Sequence, residues 1–134
     1  MPKFSRSSLE RLASCDTRLQ DICYEVIRYT DFTVVCGHRN QATQDRVFAQ
    51  GLSKVKWPGS KHNTFPSLAV DIAPVKNGKI DWEDRKAFTD LAAQMFAVAA
   101  KCKVKLRWGG DFNRDGDKTT NDAWDMPHFE LVEQ

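Results

Sequence analysis

The chain has 134 residues, 41% of them hydrophobic and 28% charged, and its 20 Lys and Arg against 18 Asp and Glu give a net charge of +2. This length and composition predict one globular domain over residues 1–134. The weak charge argues against a dedicated nucleic-acid-binding protein, and no run of about 18 apolar residues predicts a membrane span. No apolar segment follows the charged N-terminus, so we expect no secretory signal and synthesis in the cytoplasm.

Hydrophobic periodicity predicts helices and strands along the whole chain. In order, these are a helical region to about residue 29, a strand over 32–36, a short helix over 41–50, a strand over 68–75, a turn at Asn77-Gly78, a long helix over 82–101 and strands over 104–108 and 128–131. Ser7 and Ser8 are candidate caps of the first region, with a break near Asp16. Asp81 is the candidate cap of the long helix, whose apolar face includes Phe96. This mixture favours an α+β domain with a small, mostly antiparallel sheet.

Four cysteines occur at positions that match no common framework. They are Cys15, Cys23, Cys36 and Cys102. Zinc binding or two disulfides are the alternatives, but without a CxxC pair the spacing favours reduced, partly buried thiols that pack as small hydrophobic side chains.

Two of the three histidines have carboxylates nearby in the sequence. His62 precedes Asp71 on a predicted strand, and His128 lies on the last predicted strand. Two histidines and one carboxylate, with a fourth position open, form the ligand set of a catalytic zinc site. Asp125 lies three residues before His128, a spacing that lets a general base act beside the metal without binding it. From spacing alone, hydrogen-bonded structural histidines remain the alternative.

A series of short motifs extends from about residue 32 to residue 131. They are Gly37-x-Arg39 with Gln44, Ser60-x-His62, Ala69-x-Asp71-x-Ala73-Pro74, Ile80-Asp81-Trp82, Leu106-Arg107-Trp108-Gly109-Gly110-Asp111-Phe112 and Asp125-x-x-His128-Phe129-Glu130-Leu131. In this order they resemble the zinc D-Ala-D-Ala-type carboxypeptidase superfamily, and most closely the L-alanyl-D-glutamate peptidase endolysins of tailed phages. The resemblance implies the α+β fold of zinc carboxypeptidases and of hedgehog-like domains.

The resemblance also implies roles for individual residues. His62, Asp71 and His128 match the zinc ligands of the family, and Asp125 matches its catalytic carboxylate. Glu130 alternates with His128 on the predicted strand, so both should face the same side of the sheet. Glu130 is then either a partner of the ligand histidine or an exposed strand carboxylate.

Three further residues match substrate-site positions of the family. Arg39 matches an arginine that stabilises negative charge or holds the substrate, while Ser60 and Gln44 match positions that line the site. The chain departs from the commonest pattern in two places. Residues 63–67 lengthen the segment between His and Asp and contain no glycine, and Asn40 stands where Ser or Thr is more usual.

The function implied by the resemblance is hydrolysis of the L-alanyl-D-glutamate bond in peptidoglycan stem peptides by a phage-type endolysin, which causes host lysis. We expect a monomer that is made in the host cytoplasm and acts on the cell wall in the periplasm. A separate holin would release it, and it would neither insert into membranes nor bind nucleic acid. The alternatives are a D,D-carboxypeptidase or D-Ala-D-Ala dipeptidase with the same chemistry, and a catalytically inactive wall-binding domain.

A segment rich in Asp, Asn and Gly precedes the last motif and predicts a calcium site. Its oxygen-bearing side chains fall at EF-hand-like spacing, with Gly116 at the sixth position for the turn. The candidate calcium ligands are Asp111, Asn113, Asp115, Asp117 and Asp122. The alternative is a turn that needs these residue types for its backbone conformation and binds no ion.

Overall fold

The computed structural model describes residues 2–110 and 125–132. Its elements are α1 (Arg6–Ala13), α2 (Thr17–Val26), β1 (Phe32–Cys36), α3 (Gln41–Ala49), a 3-10 helix (Lys61–Asn63), β2 (Ala69–Pro74), α4 (Arg85–Lys101), β3 (Leu106–Trp108) and β4 (His128–Leu131). The strands form one sheet in the order β1-β2-β4-β3, and every adjacent pair is antiparallel. The predicted α+β class with an antiparallel sheet is therefore confirmed.

The sheet has one apolar face and one polar face because successive side chains on a strand point to opposite sides. On β4, Phe129 and Leu131 belong to the hydrophobic core, whereas His128 and Glu130 alternate with them. Trp108 on β3 pairs with Phe129 across the strands, and their rings stack with centroids 6.1 Å apart. The polar face is therefore the one that carries the candidate site residues of β4.

Helix α4 packs against α2, β2 and β3 and covers the apolar side of the sheet. Its buried residues recur at helical spacing and are Phe88, Leu91, Ala92, Met95 and Ala99. Phe96 was predicted to belong to this stripe, but it is 37% exposed. It follows Met95 directly and therefore lies about 100° further round the helix, at the edge of the stripe.

Two helix starts differ from their predictions. Ser5, not Ser7 or Ser8, caps α1, and its side chain accepts a hydrogen bond from the Ser8 backbone N–H at 3.2 Å. Ser8 is instead buried, where its hydroxyl accepts from the Val34 backbone N–H at 3.0 Å. A capping side chain accepts from a backbone N–H two or three residues later, so the capping residue comes just before the helix. The apolar pattern from which the helix was predicted therefore begins inside the helix, after its cap.

Asp84, not Asp81, caps α4 and accepts from the Ala87 backbone N–H at 3.0 Å. Asp81 accepts from the Glu83 N–H at 3.0 Å and closes a turn just before the helix. The predicted break near Asp16 is confirmed, because Asp16 caps α2.

Several smaller predictions can also be compared with the structure. The turn at Asn77-Gly78 is confirmed, since both residues have positive φ, 52° and 76°. The four thiols are free, although Cys102 is exposed rather than partly buried. No helix in the described part of the chain is long and apolar enough to span a bilayer.

Candidate metal centre

Three buried side chains converge at the polar face of the sheet. His62 Nε2 lies 3.2 Å from Asp71 Oδ1, His128 Nδ1 lies 3.2 Å from the same oxygen, and the two ring nitrogens are 3.3 Å apart. The exposed fractions of His62, Asp71 and His128 are 1%, 9% and 8%. One ligand atom from each residue lies within 4.8 Å of the others, a group that could hold a metal ion. Two imidazole nitrogens and one carboxylate oxygen fit Zn²⁺ and leave a coordination position open.

The sheet and a short capped helix place these three side chains. Asp71 on β2 and His128 on β4 are directly opposed partners in the antiparallel ladder. His62 lies in the 3-10 helix, whose cap Ser60 accepts from the His62 backbone N–H at 3.2 Å. Asn63 completes a capping box, since its Oδ1 accepts from the Ser60 N–H at 3.0 Å. Strand register therefore fixes two of the candidate ligands and helix capping fixes the third.

A second hydrogen bond orients each histidine ring. His62 Nδ1 lies 2.7 Å from the Gly37 carbonyl oxygen, which selects the tautomer that donates from Nδ1 and presents the Nε2 lone pair to the centre. His128 Nε2 lies 2.7 Å from Glu130 Oε1, so this ring presents Nδ1. A Cβ atom at Gly37 would collide with the Arg11 carbonyl oxygen, so glycine is required at the first of these contacts.

Glu130 is a buried partner of His128, which agrees with the first of its two interpretations. Its second oxygen, Oε2, lies 3.3 Å from Lys61 Nζ and 3.7 Å from an Arg107 guanidinium nitrogen. Burial disfavours the charged carboxylate, but the hydrogen bond from His128 and the charge of Lys61 keep the pKa of Glu130 below its ordinary value. Glu130 therefore remains ionised and can hold the His128 ring in place.

The carboxylate of Asp71 and the two imidazole rings stabilise one another's charges. Burial opposes protonation of both imidazoles, but the Asp71 carboxylate outweighs it and raises the pKa of His62 to about 10 and of His128 to about 9. Burial also opposes the charge of Asp71, whose pKa is nevertheless far below its ordinary value because both histidines face it. A metal ion must therefore displace protons from the two rings when it binds.

Arg39 connects the triad to the cavity beside it. Its guanidinium donates to Asp71 Oδ2 at 3.2 Å and to Gln44 Oε1 at 3.1 Å. Gln44 is fully buried and donates to the Val55 carbonyl oxygen at 2.7 Å. The structure thus places Gln44 behind Arg39 rather than on the cavity wall, where it fixes the orientation of the guanidinium.

Asp125 lies next to the triad but outside the group of converging ligand atoms. Its Oδ2 is 4.0 Å from His128 Nδ1, and its side chain is 29% exposed. Burial and the nearby charge of Asp71 together raise the pKa of Asp125 to about 6. A carboxylate with a pKa near neutrality, beside but not within a candidate metal site, is suited to act as a general base.

These groups line an open cavity of about 440 Å³. Its wall includes Arg39, Leu52, Ser53, Val55, Gly59, Ser60, Lys61, His62, Arg107, Asp125, His128 and Glu130. Of the sequence-predicted site residues, Arg39, Ser60, His62, Asp125 and His128 are on this wall. The candidate calcium ligands Asp111, Asn113, Asp115, Asp117 and Asp122 lie outside the described residues.

Sequence reasoning missed Arg107 and Asn63 as contributors to this site. Arg107 faces Glu130 only because β3 and β4 pair in one register, which the sequence does not reveal. Asn63 could have been recognised, because Ser60-x-x-Asn63 has the spacing of a capping box. The departure at Asn40 is also explained, since its side chain caps α3 as Ser or Thr would and accepts from the Thr43 N–H at 2.9 Å.

Comparisons with known proteins agree with the geometry. The family model described as phage L-alanyl-D-glutamate peptidase matches residues 1–132. An L-alanyl-D-glutamate peptidase from Escherichia phage T5 is 36% identical over 136 residues, which cover 97% of this chain and 98% of the relative. The crystal structure of the Serratia marcescens L-Ala D-Glu endopeptidase ChiX superposes with a TM-score of 0.76 at 26% identity, covering 97% of this chain and 90% of ChiX. The predicted fold is thus confirmed by a solved structure.

Proposed function

The chain belongs to the phage L-alanyl-D-glutamate peptidase family, and from this premise we propose that it is an endolysin that hydrolyses the L-alanyl-D-glutamate bond of peptidoglycan stem peptides. The observation that carries the proposal is the convergence of His62, Asp71 and His128 beside Asp125 at one open cavity. Buried metal ligands next to a carboxylate of raised pKa are the parts that a metallopeptidase needs.

We propose zinc as the ion that this centre holds, through His62 Nε2, an oxygen of Asp71 and His128 Nδ1. The donor set supports this choice, because imidazole nitrogens suit zinc, whereas Mg²⁺ and Ca²⁺ prefer oxygen ligands alone. When bound, zinc polarises a carbonyl group and lowers the pKa of a water molecule towards neutrality.

Asp125 is assigned the proton transfers of the reaction. Its carboxylate accepts a proton from the attacking water and then returns it to the nitrogen of the leaving D-glutamate. The burial that raises its pKa to about 6 makes it a stronger base than an exposed aspartate. Because Asp125 lies on the cavity wall, it can reach both the water and the leaving group.

Arg39 is assigned the role of stabilising the negative charge that develops on the scissile carbonyl oxygen. Its guanidinium lies on the cavity wall, and its contacts with Asp71 and Gln44 hold it in a fixed orientation. Donors that are oriented before the reaction stabilise such a charge without the cost of reorganisation. Ser60 lines the same wall, and Gln44 acts through Arg39 rather than by touching substrate.

The bond that is cleaved can be tested directly on purified peptidoglycan. Digestion should release new N-terminal D-glutamate amines, detectable by labelling and mass spectrometry. A D,D-carboxypeptidase or D-Ala-D-Ala dipeptidase would instead release D-alanine or its dipeptide, which would refute the assignment of the bond. An inactive wall-binding domain would bind the polymer and release neither product.

Asp125→Asn tests the assignment of the base in the same assay. It should retain stoichiometric zinc yet lose about 10²-fold or more of the activity. Asp71→Asn is the matched control, because it removes the same charge from a proposed ligand and should weaken zinc binding itself. If Asp125→Asn binds no zinc, then either Asp125 is a ligand or the site has collapsed, and its assignment as the base is wrong.

The remaining parts of the proposal concern the setting of the enzyme and a second ion. We propose a monomer that is made in the host cytoplasm, released by a separate holin and active on the wall in the periplasm. Calcium binding at the Asp- and Asn-rich segment remains a prediction. Lytic activity and a proteolytic cleavage pattern that are both the same with added calcium and with a calcium-selective chelator would contradict it.

A further inference from the structure

A second charged pair lies beside the metal centre on the polar face of the sheet. Arg107 on β3 and Glu130 on β4 are directly opposed partners. His128 lies two residues before Glu130 on the same strand, so His128 and Arg107 are diagonal neighbours, which are typically about 7–8 Å apart. Arg107 therefore stands one position away from a candidate metal ligand, on the wall of the same cavity.

Arg107 is the most exposed of the three cationic side chains that the described residues place on this wall. Arg39, which is bound to Asp71, has a side chain that is 15% exposed. Lys61, which contacts Glu130 at 3.3 Å, is 34% exposed. Arg107 is 43% exposed and lies 3.7 Å from Glu130. Because this exposed side chain lies on the cavity wall, its guanidinium can reach an anion in the cavity while it stays beside Glu130.

The proposed substrate has a negative charge close to the bond that breaks. In the stem peptide, D-glutamate is linked onward through its γ-carboxyl group, so its α-carboxylate is free. That carboxylate is attached to the same carbon as the scissile nitrogen. The cavity must therefore accept a carboxylate next to the reacting atoms, and desolvating it without a partner would be costly. A planar guanidinium matches a carboxylate with two parallel hydrogen bonds.

We propose that Arg107 binds the α-carboxylate of the D-glutamate on the leaving side of the scissile bond. This contact makes Arg107 a specificity-determining residue, which selects D-glutamate over its α-amide, D-isoglutamine. The amide is uncharged and presents only one acceptor oxygen, so it forfeits the ion pair and one of the two hydrogen bonds. The inference rests on the proposed function and names the group on the substrate that the cavity recognises.

The test uses two synthetic muramoyl tripeptides that differ only in carrying D-glutamate or D-isoglutamine after L-alanine. The wild-type zinc enzyme should cleave the D-glutamate peptide with a kcat/KM about 10- to 100-fold higher, the range of one charge-assisted hydrogen-bonded contact. Arg107→Gln should lose this factor on the D-glutamate peptide only, so that the two rates become nearly equal. Arg107→Lys should recover part of the preference, because it restores the charge without the planar fork.

Lys105→Gln is the matched control, since it removes one positive charge two residues away from an exposed side chain that is not on the cavity wall. It should leave the preference unchanged. Zinc stoichiometry and circular dichroism of each variant report whether the centre and the fold are intact.

Equal cleavage of both peptides by the wild type overturns the inference without any variant. An Arg107→Gln enzyme that keeps the wild-type preference also overturns it. Cleavage of neither peptide would count against the proposed function itself.

Discussion

The two faces of the sheet are both buried, but different forces hold them. On the apolar face, Phe129 and Leu131 belong to the hydrophobic core, where Phe129 packs against Trp108 and against Phe96 of helix α4 through contacts that have little directional requirement. On the polar face, His128 and Glu130 alternate with them along the same strand, and each polar group there has a specific partner. The free energy of the first face depends on area removed from water, and that of the second depends on pairing. A substitution should therefore reduce mainly stability on one face and mainly function on the other.

The largest effect is expected from removal of a proposed ligand on the polar face. His128→Ala should lose both bound zinc and lytic activity, because two ligands rarely retain a catalytic ion. His38→Ala is the matched control, since His38 lies outside the triad and its ring contacts the Thr64 carbonyl oxygen. Zinc content by atomic emission and turbidity loss of permeabilised Gram-negative cells measure the two outcomes. Full lysis by rigorously metal-free protein would refute the metal mechanism.

On the apolar face, truncation should cost stability and leave the chemistry intact. Leu91→Ala removes a side chain that is 1% exposed and should lower the free energy of unfolding by about 2–5 kcal/mol. Denaturant unfolding measures this loss. The fraction that remains folded should still bind one zinc ion and show the wild-type kcat. A folded variant with full stability but reduced kcat would break the contrast between the two faces.

Glu130 sharpens the contrast, because it lies on the polar face without being a proposed ligand. Glu130→Ala should weaken zinc affinity about 10- to 100-fold by releasing the His128 ring. Glu130→Gln keeps an oxygen that can accept from His128 Nε2 and should recover part of that loss. Competition with a chromogenic chelator measures the affinities. If the Glu130→Ala and Glu130→Gln variants both bind zinc as tightly as the wild type, then Glu130 does not hold the His128 ring in place.

The smallest effect concerns a helix cap remote from both faces. The hydrogen bond from Arg18 lowers the pKa of Asp16 below its ordinary value. This contribution to stability is present above the ordinary pKa of about 4 and disappears as the pH falls through the lowered pKa of the folded state. Asp16→Asn keeps the cap but should be less stable than the wild type at pH 7 by less than about 1 kcal/mol.

This Asp16 difference should disappear in strong acid, as measured by thermal unfolding across pH. Asp45→Asn, which removes the same charge from an exposed side chain on α3, is the control. A difference between wild type and Asp16→Asn that persists in strong acid would contradict the assigned origin of the pKa shift.

The sequence predicted the elements well where a pattern repeats over several residues. The run His128 to Leu131 alternates polar and apolar residues, so both faces of β4 could be predicted from the sequence alone. Helix starts were less accessible, because Ser5 and Ser8, or Asp81 and Asp84, are all chemically capable of capping. Only the path of the backbone decides between such neighbours.

The candidate site was predicted through its residue types and a family resemblance rather than through its geometry. The opposition of Asp71 and His128, and of Arg107 and Glu130, depends on strand register. Register is set by the packing of the whole sheet, so local sequence does not reveal it. The same reason explains why Gln44 was expected on the cavity wall, since its motif spacing did not show that it would be buried behind Arg39.

The proposed ligands are far apart along the chain, with Asp71 and His128 separated by 57 residues. An ion bound to both, and to His62, would fasten the 3-10 helix to two neighbouring strands as a reversible cross-link. Since the unfolded chain has no such centre, zinc at about 100 times its Kd would add about 2.7 kcal/mol to the stability of the fold. Loss of zinc would then lower the stability of the fold as well as stop the chemistry.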